Sequence, residues 1–172
     1  MTRGTGIKID ATGMKRKITA ALKALDPEGL LFLIGQRGLN WVARNFKAKG
    51  LDRPWAPLSP NTIASRRRGG DQPLQDTGRL RASFTANVAG NAVAIGSILK
   101  VAEWHQFGTK PYKIRPKNTR FLKFKTANGF RFAREVNHPG LKARPMLPTK
   151  ASARRLAIET IDNALRSVNG AG

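Results

Sequence analysis

Along the chain, stretches in which apolar residues recur every three or four positions, as on a helix face, alternate with stretches in which they recur every second position, as on a strand. Ile7-Lys8-Ile9-Asp10 alternates like a short strand, and 13–25 reads as a helix with Ile18, Ala21, Leu22 and Leu25 on one side. Asp26-Pro27-Glu28 restarts the helical pattern: Asp26 is a capping residue, Pro27 suits the first helical position, and Glu28 favours the positive end of the helix dipole. The spacing predicts a long helix to about Phe46 that buries Leu30, Ile34, Trp41, Val42 and Phe46, with Lys47, Lys49 and Gly50 at its end. Gly35 and Gly38 each weaken such a helix by up to about 1 kcal/mol relative to alanine, so they mark close packing against another element or subunit.

Four prolines and the run Arg66-Arg67-Arg68-Gly69-Gly70 predict a long loop or arm over about 49–75, with a short helical turn after Ser59 that Pro60 starts. Strands are expected over 81–89 and 91–98, joined at Gly90-Asn91, with Phe84, Val88, Val93 and Ile95 spaced for a half-buried ribbon. A short helix over 101–107 stops at Gly108, and a strand follows over 112–115. A closing helix from about 149 to 168 carries the stripe Leu156, Ile158, Ile161, Leu165 and Val168.

Between these last two elements, about 120–137, RFLKFKTANGFRFAREV alternates apolar and basic residues around Asn128-Gly129. If Asn128-Gly129 alone made the turn, Ala127 would pair with Phe130 and Lys125 with Phe132, scattering apolar residues over both faces. A three-residue loop, Ala127-Asn128-Gly129, instead pairs Phe124 with Phe132, Thr126 with Phe130 and Leu122 with Arg134. The predicted hairpin then has one apolar face and one basic face of Lys123, Lys125 and Arg131, with Lys125 opposite Arg131. Two readings of that face stand open: a solvated edge whose lysines discourage aggregation, or a surface for an anionic partner. The expected fold is thus a single α+β domain over 1–172. It has an antiparallel sheet with a protruding hairpin, packed against a long helix of the N-terminal half and a C-terminal helix.

Charge changes this picture more than composition does. Thirty-two Lys and Arg against 10 Asp and Glu give +22, and no acid occurs between Lys110 and Arg134. Such a balance speaks of partners: nucleic acid first, an acidic protein neighbour second, a membrane surface third. No apolar run approaches the roughly 20 residues of a membrane span, the start MTRGTGIKID lacks a secretory core, and there is no cysteine; a cytoplasm, or an assembly built there, is expected. Aromatic content of 7% offers no obvious stacking platform for nucleic acid. Catalytic tools are scarce. His105 and His138 have no cysteines or clustered carboxylates for a metal site, the acids are dispersed, and no phosphate-cradling glycine loop, dinucleotide fingerprint or nucleophile elbow appears. Neither a cofactor nor a metal is expected, and an enzyme is the weakest of the readings.

Four stretches carry a resemblance when read together: WAPLSPNTIASRR (55–67), LQDTGRLRASF (74–84), AEWHQFGT (102–109) and VNHPGLKARPML (136–147). In order and spacing they resemble the tail-completion and neck proteins of tailed bacteriophages, a group that includes the phage virion-morphogenesis proteins and related minor tail proteins. Trp55 to Leu58 and the His105-Gln106-Phe107-Gly108 turn are similar to the morphogenesis branch; the FLKF ribbon and His138-Pro139-Gly140 are similar to the minor-tail branch. Each motif also has a physical reading. Asp76-Thr77-Gly78-Arg79-Leu80 is a turn in which Asp76 can bond backbone amides and Gly78 supplies a positive φ. Phe107 is a candidate anchor before the Gly108 stop, and the turns at His138-Pro139-Gly140 and Arg144-Pro145 lead the chain off the ribbon into the last helix. The resemblance implies a structural virion protein: a homo-oligomeric ring, six-fold in expectation, around the DNA channel at the head-tail junction. Its basic loop (Arg66, Arg67, Arg68) and hairpin would then meet acidic neighbouring neck or tail proteins, or DNA. A free basic nucleic-acid-binding protein is the alternative.

Overall fold

The computed structural model describes residues 26–66, 70–126 and 129–169. The strand expected over 7–10, the helix over 13–25, and Arg67 and Arg68 lie outside the described residues. The element order is α1 (Pro27–Ala48), α2 (Pro60–Ser65), α3 (Arg79–Ala82), β1 (Phe84–Ala89), β2 (Ala92–Ser97), α4 (Lys100–Phe107), β3 (Tyr112–Ile114), β4 (Leu122–Thr126), β5 (Gly129–Ala133), β6 (Val136–His138) and α5 (Lys150–Asn169). This is an α+β fold whose strands form three separate antiparallel ribbons, β1–β2, β3–β6 and β4–β5.

Helix α1 starts where its cap dictates: the Asp26 carboxylate accepts from the N–H groups of Glu28 and Gly29 at 3.2 and 2.9 Å. It ends on Lys49 in the left-handed conformation. Its apolar stripe packs against the β1–β2 hairpin and against α5. Gly35 faces Ala86 and Val93 of that hairpin, and at Gly38 an added Cβ would overlap the Ile95 side chain, so both glycines are closest-approach points. The core at this junction is Trp41, Val42, Phe46, Trp55, Ala102 and Met146. Phe46 meets Trp55 edge-on at 5.3 Å between ring centres and Phe84 at 5.9 Å, the geometry that aromatic quadrupoles favour.

Register in β1–β2 follows the hydrophobic pattern: Phe84, Ala86 and Val88 pair with Ser97, Ile95 and Val93, so one face carries the apolar set. The strand expected from residue 81 begins at Phe84, because the preceding residues form the single helical turn α3 after Gly78 (φ 75°). Val88 and Ile158, expected to be half-buried or buried, are exposed.

The second hairpin corrects the expected register. Thr126 pairs with Gly129, Lys125 with Phe130, Phe124 with Arg131, Lys123 with Phe132 and Leu122 with Ala133. This one-residue slip interchanges the faces of one strand. Phe130 and Phe132 now share a face with the Lys123 and Lys125 positions, and Phe124 shares the other with Arg131; the uniformly basic face does not form. Two forces favour this outcome. The like-charge Lys125–Arg131 pair is removed, and the Lys123 ammonium lies 4.2 Å from the Phe130 ring centre and 5.8 Å from that of Phe132.

Candidate functional site

The four motif stretches, up to 90 residues apart, meet around the segment Leu141–Leu147. This segment runs without a continuous strand partner, so side chains must satisfy its backbone. The Trp55 indole donates to the Pro145 carbonyl at 3.0 Å. The Arg144 guanidinium donates from Nε and Nη2 to the Ala56 carbonyl at 3.1 and 2.9 Å, and from Nη2 to that of Pro57 at 3.2 Å. Gln106 Oε1 accepts from the N–H groups of Met146 and Leu147 at 2.7 and 3.2 Å, while the Arg144 N–H donates to the His105 carbonyl at 2.7 Å. Thr109 bridges to Leu141. The two strands touch so closely that Gly108 (φ 76°) and Gly140 (φ 86°) are sterically required: a Cβ on the first would sit 2.6 Å from the Leu141 carbonyl oxygen, and one on the second would overlap that of Thr109. His138 supports the turn by accepting the Gly140 N–H at 3.0 Å on Nδ1 and stacking on Tyr112 at 4.7 Å.

Beside this interlock lies an open cleft of about 650 Å³, to which each motif contributes a wall: Leu58, then Asp76, Thr77 and Leu80, then His105, then His138 to Gly140 and Arg144. Arg66, from the basic loop, and Lys142 line it as well. The turn at 76–80 differs in detail from expectation, since Thr77 Oγ1 and not the Asp76 carboxylate takes the Arg79 N–H, at 3.4 Å. Burial of the Arg144 guanidinium and then the charge of Arg66 push its pKa down. Burial, and then Arg144, hold His105 below the usual imidazole range, and His105 Nδ1 is buried with no hydrogen-bond partner among the described residues.

A depressed histidine has a definite effect on stability. The unfolded chain takes up its proton near pH 6.5 while the folded chain resists it, so the His105 contribution is complete above about pH 6.5 and is lost as pH falls below that value. In a series of thermal melts from pH 7.5 to 5, the midpoint of the wild type should fall more steeply than that of His105→Gln. Parallel slopes would assign the pH dependence to other groups.

Other motif residues are placed apart. Phe107 is 77% exposed and anchors nothing; α4 buries only Ala102, and Gln106 is the residue that ties its end down. Lys123 and Arg131 lie on the β4–β5 ribbon, and the Lys125 side chain lies outside the described residues. Phe130 and Phe132 on that ribbon are 60% and 64% exposed. Glu135 closes the acid-free stretch by pairing with Lys113 and Arg115 at 2.8 and 2.6 Å.

Two contributors escape sequence reasoning. Asn45, 1% exposed, donates from Nδ2 to the Pro145 and Met146 carbonyls at 3.0 and 3.1 Å and accepts from the Leu51 N–H at 2.6 Å. A signal for it exists: it stands four residues after Trp41 and three after Val42, a polar side chain on the apolar stripe. Asp52 gives no such signal. It accepts from Thr149 N and Ser152 Oγ at 2.8 and 2.7 Å and so fixes the start of α5. Among the described residues no group of three or more His, Cys, Asp or Glu is placed to hold a metal, and no helix is long and apolar enough to cross a membrane.

Residues 12–166 match the phage virion morphogenesis family, a span that includes the FLKF ribbon and the His-Pro-Gly turn as well as the Trp55 and Gln106 motifs. No match is found among curated proteins or solved structures.

Proposed function

Because the chain belongs to the phage virion morphogenesis family, we propose that this protein of phage particle assembly is a structural tail-completion or neck component. In this reading it closes into a cyclic homo-oligomeric ring around the DNA channel at the head-tail junction, beside other neck and tail proteins, and catalyses no reaction. The observation that carries the reading is the β4–β5 ribbon. Phe121, Phe124, Phe130 and Phe132 are all exposed there, in a stretch with nine cations and no acid between Lys110 and Arg134. A free monomer gains nothing from such a surface, whereas a neighbour that covers the rings and neutralises the cations gives it a purpose. Helix α4 adds Trp104 and Phe107, both exposed and three residues apart on one helix face. Quantitative mass spectrometry of purified particles should find a low, fixed copy number relative to the major capsid protein, of the size of one ring. Absence from particles would remove the structural reading.

One observation favours a second reading, a free nucleic-acid binder. The ribbon brings Lys123 over Phe130 and Phe132 and sets Phe121 within 5.5 and 5.8 Å of the Arg120 and Arg134 guanidinium carbons, so aromatic rings and cations are interleaved as on a stacking platform. Affinity for single-stranded DNA that falls steeply with salt, together with absence from particles, would select it.

A further inference from the structure

We propose that the cleft walled by α2, the Asp76–Leu80 turn, α4 and the His138–Arg144 segment seats an acidic peptide segment of a different protein, with carboxylates on Arg66 and Arg144 and an apolar residue between Leu58 and Leu80. The inference rests on the assembly reading only for the source of the peptide. Its chemistry comes from the cleft. Among the described residues three cations line it, Arg66, Lys142 and Arg144, against the single carboxylate of Asp76, and Asp76 forms no ion pair with any of these three. Like charges held together at a concave surface are stabilised by an anion that enters between them. Arg66 and Arg144 are already oriented by the chain: Arg66 Nη1 donates to the Gly70 and Gln72 carbonyls at 2.9 and 2.5 Å, and Arg144 is fixed on Ala56 and Pro57. Burial is the first cause of the lowered pKa of Arg144 and of His105, and the neighbouring charge, Arg66 on Arg144 and Arg144 on His105, is the second, a repulsion that an added negative charge relieves.

The occupant is a peptide rather than DNA, because about 650 Å³ of concave space with leucines in its walls suits a side-chain-sized ligand, whereas a duplex spreads its phosphates over a broad outer surface. Another protein is the favoured source because this chain is poor in acid, its 10 Asp and Glu never more than two within four residues. Residues 1–25 carry six Lys and Arg and one Asp, and a second copy brings a net charge of +22.

The test uses the full chain and a fluorescein-labelled hexapeptide, DLEDLF, beside its uncharged isostere NLQNLF. Fluorescence anisotropy should show binding of the acidic peptide about tenfold tighter than the isostere. Lys142→Glu should weaken it about tenfold, and Thr77→Trp, which plugs the cleft without changing net charge, should weaken it as much. Arg166→Glu on α5, away from the residues that line the cleft, should leave it within about twofold. Equal losses from Lys142→Glu and Arg166→Glu would show a response to overall charge and overturn the proposal. So would indifference to Thr77→Trp, or a short DNA duplex whose binding Lys142→Glu and Thr77→Trp weaken as strongly as they weaken the peptide's. A chain absent from particles that still binds the peptide in its cleft would sink the virion reading and leave this one standing.

Discussion

Replacing Asn45 by leucine should lower the stability of the folded chain by about 2–5 kcal/mol, seen as a large drop in the urea midpoint with an unchanged slope. Leucine fits the volume and suits a helix, so neither packing nor propensity is the reason. The loss comes from polar groups left in a dry place. Asn45 alone satisfies the Leu51 N–H at 2.6 Å and shares the Pro145 and Met146 carbonyls, next to Met146 at 1% exposure. Each buried backbone group without a partner costs about 1–3 kcal/mol, and only the Pro145 carbonyl keeps another donor, the Trp55 indole. Asn45→Asp separates the two halves of the effect, since it retains the acceptor for Leu51 and loses the donor to residues 145 and 146. A loss below about 1 kcal/mol for the leucine variant would mean that water reaches the interlock, and that the seam between α1 and the closing motif is open.

The largest functional effect is expected on the ribbon. Reversing Lys123, Lys125 and Arg131 to glutamate should leave the chain folded and abolish the joining of particles, so that complemented phage stocks give no plaques. Folding should survive because nothing of this hairpin belongs to the core, and exposed substitutions typically shift stability by about 0.5 kcal/mol or less. Removing Lys123 from the Phe130 ring adds about 0.5–1 kcal/mol of local loss. Joining should fail because three reversals change the local charge by six units on the surface proposed to dock the partner. A matching Lys123→Gln, Lys125→Gln, Arg131→Gln variant should be intermediate. Normal titre from the glutamate variant would reduce the ribbon to a solvated edge that resists aggregation.

Sequence patterns carried most of the fold because the relevant forces are local. The Asp26-Pro27-Glu28 start of α1, Gly108 as the stop of α4, and the Gly90-Asn91 turn all depend on a few neighbouring residues and stand where expected. Gly35 and Gly38 were legible as close contacts because glycine in mid-helix is unfavourable unless something needs the space. The β4–β5 register was not legible, for a physical reason. Each strand alternates apolar and basic residues, and no core lies beneath to choose a face. Neighbouring registers therefore differ only by cross-strand charge repulsion and by cation–ring attraction, terms of similar small size. Phe107 misled because a large apolar residue before a glycine stop reads as an anchor, while the clamp is the adjacent Gln106, whose partners lie about 40 residues downstream. Of the candidate site, the four motifs were visible as separate phrases. Their convergence on one cleft was not, since no local rule connects Leu58 and Thr77 with His105 and Arg144.

The bonds from Asn45 and Trp55 to residues 145 and 146 span 90 to 101 positions of the chain. On a ribosome, helix α1 emerges with Trp41, Val42 and Phe46 exposed, and the pieces that cover them, Met146, Leu147 and Leu156, are made about a hundred residues later. Closing so long a loop is entropically late and slow compared with forming the helix itself. The nascent chain therefore carries an open greasy seam while about a hundred residues are added, a surface for chaperones to hold until residues 146–156 arrive. Chains that extend past Leu156 are then the first with a closed core to bring to assembly.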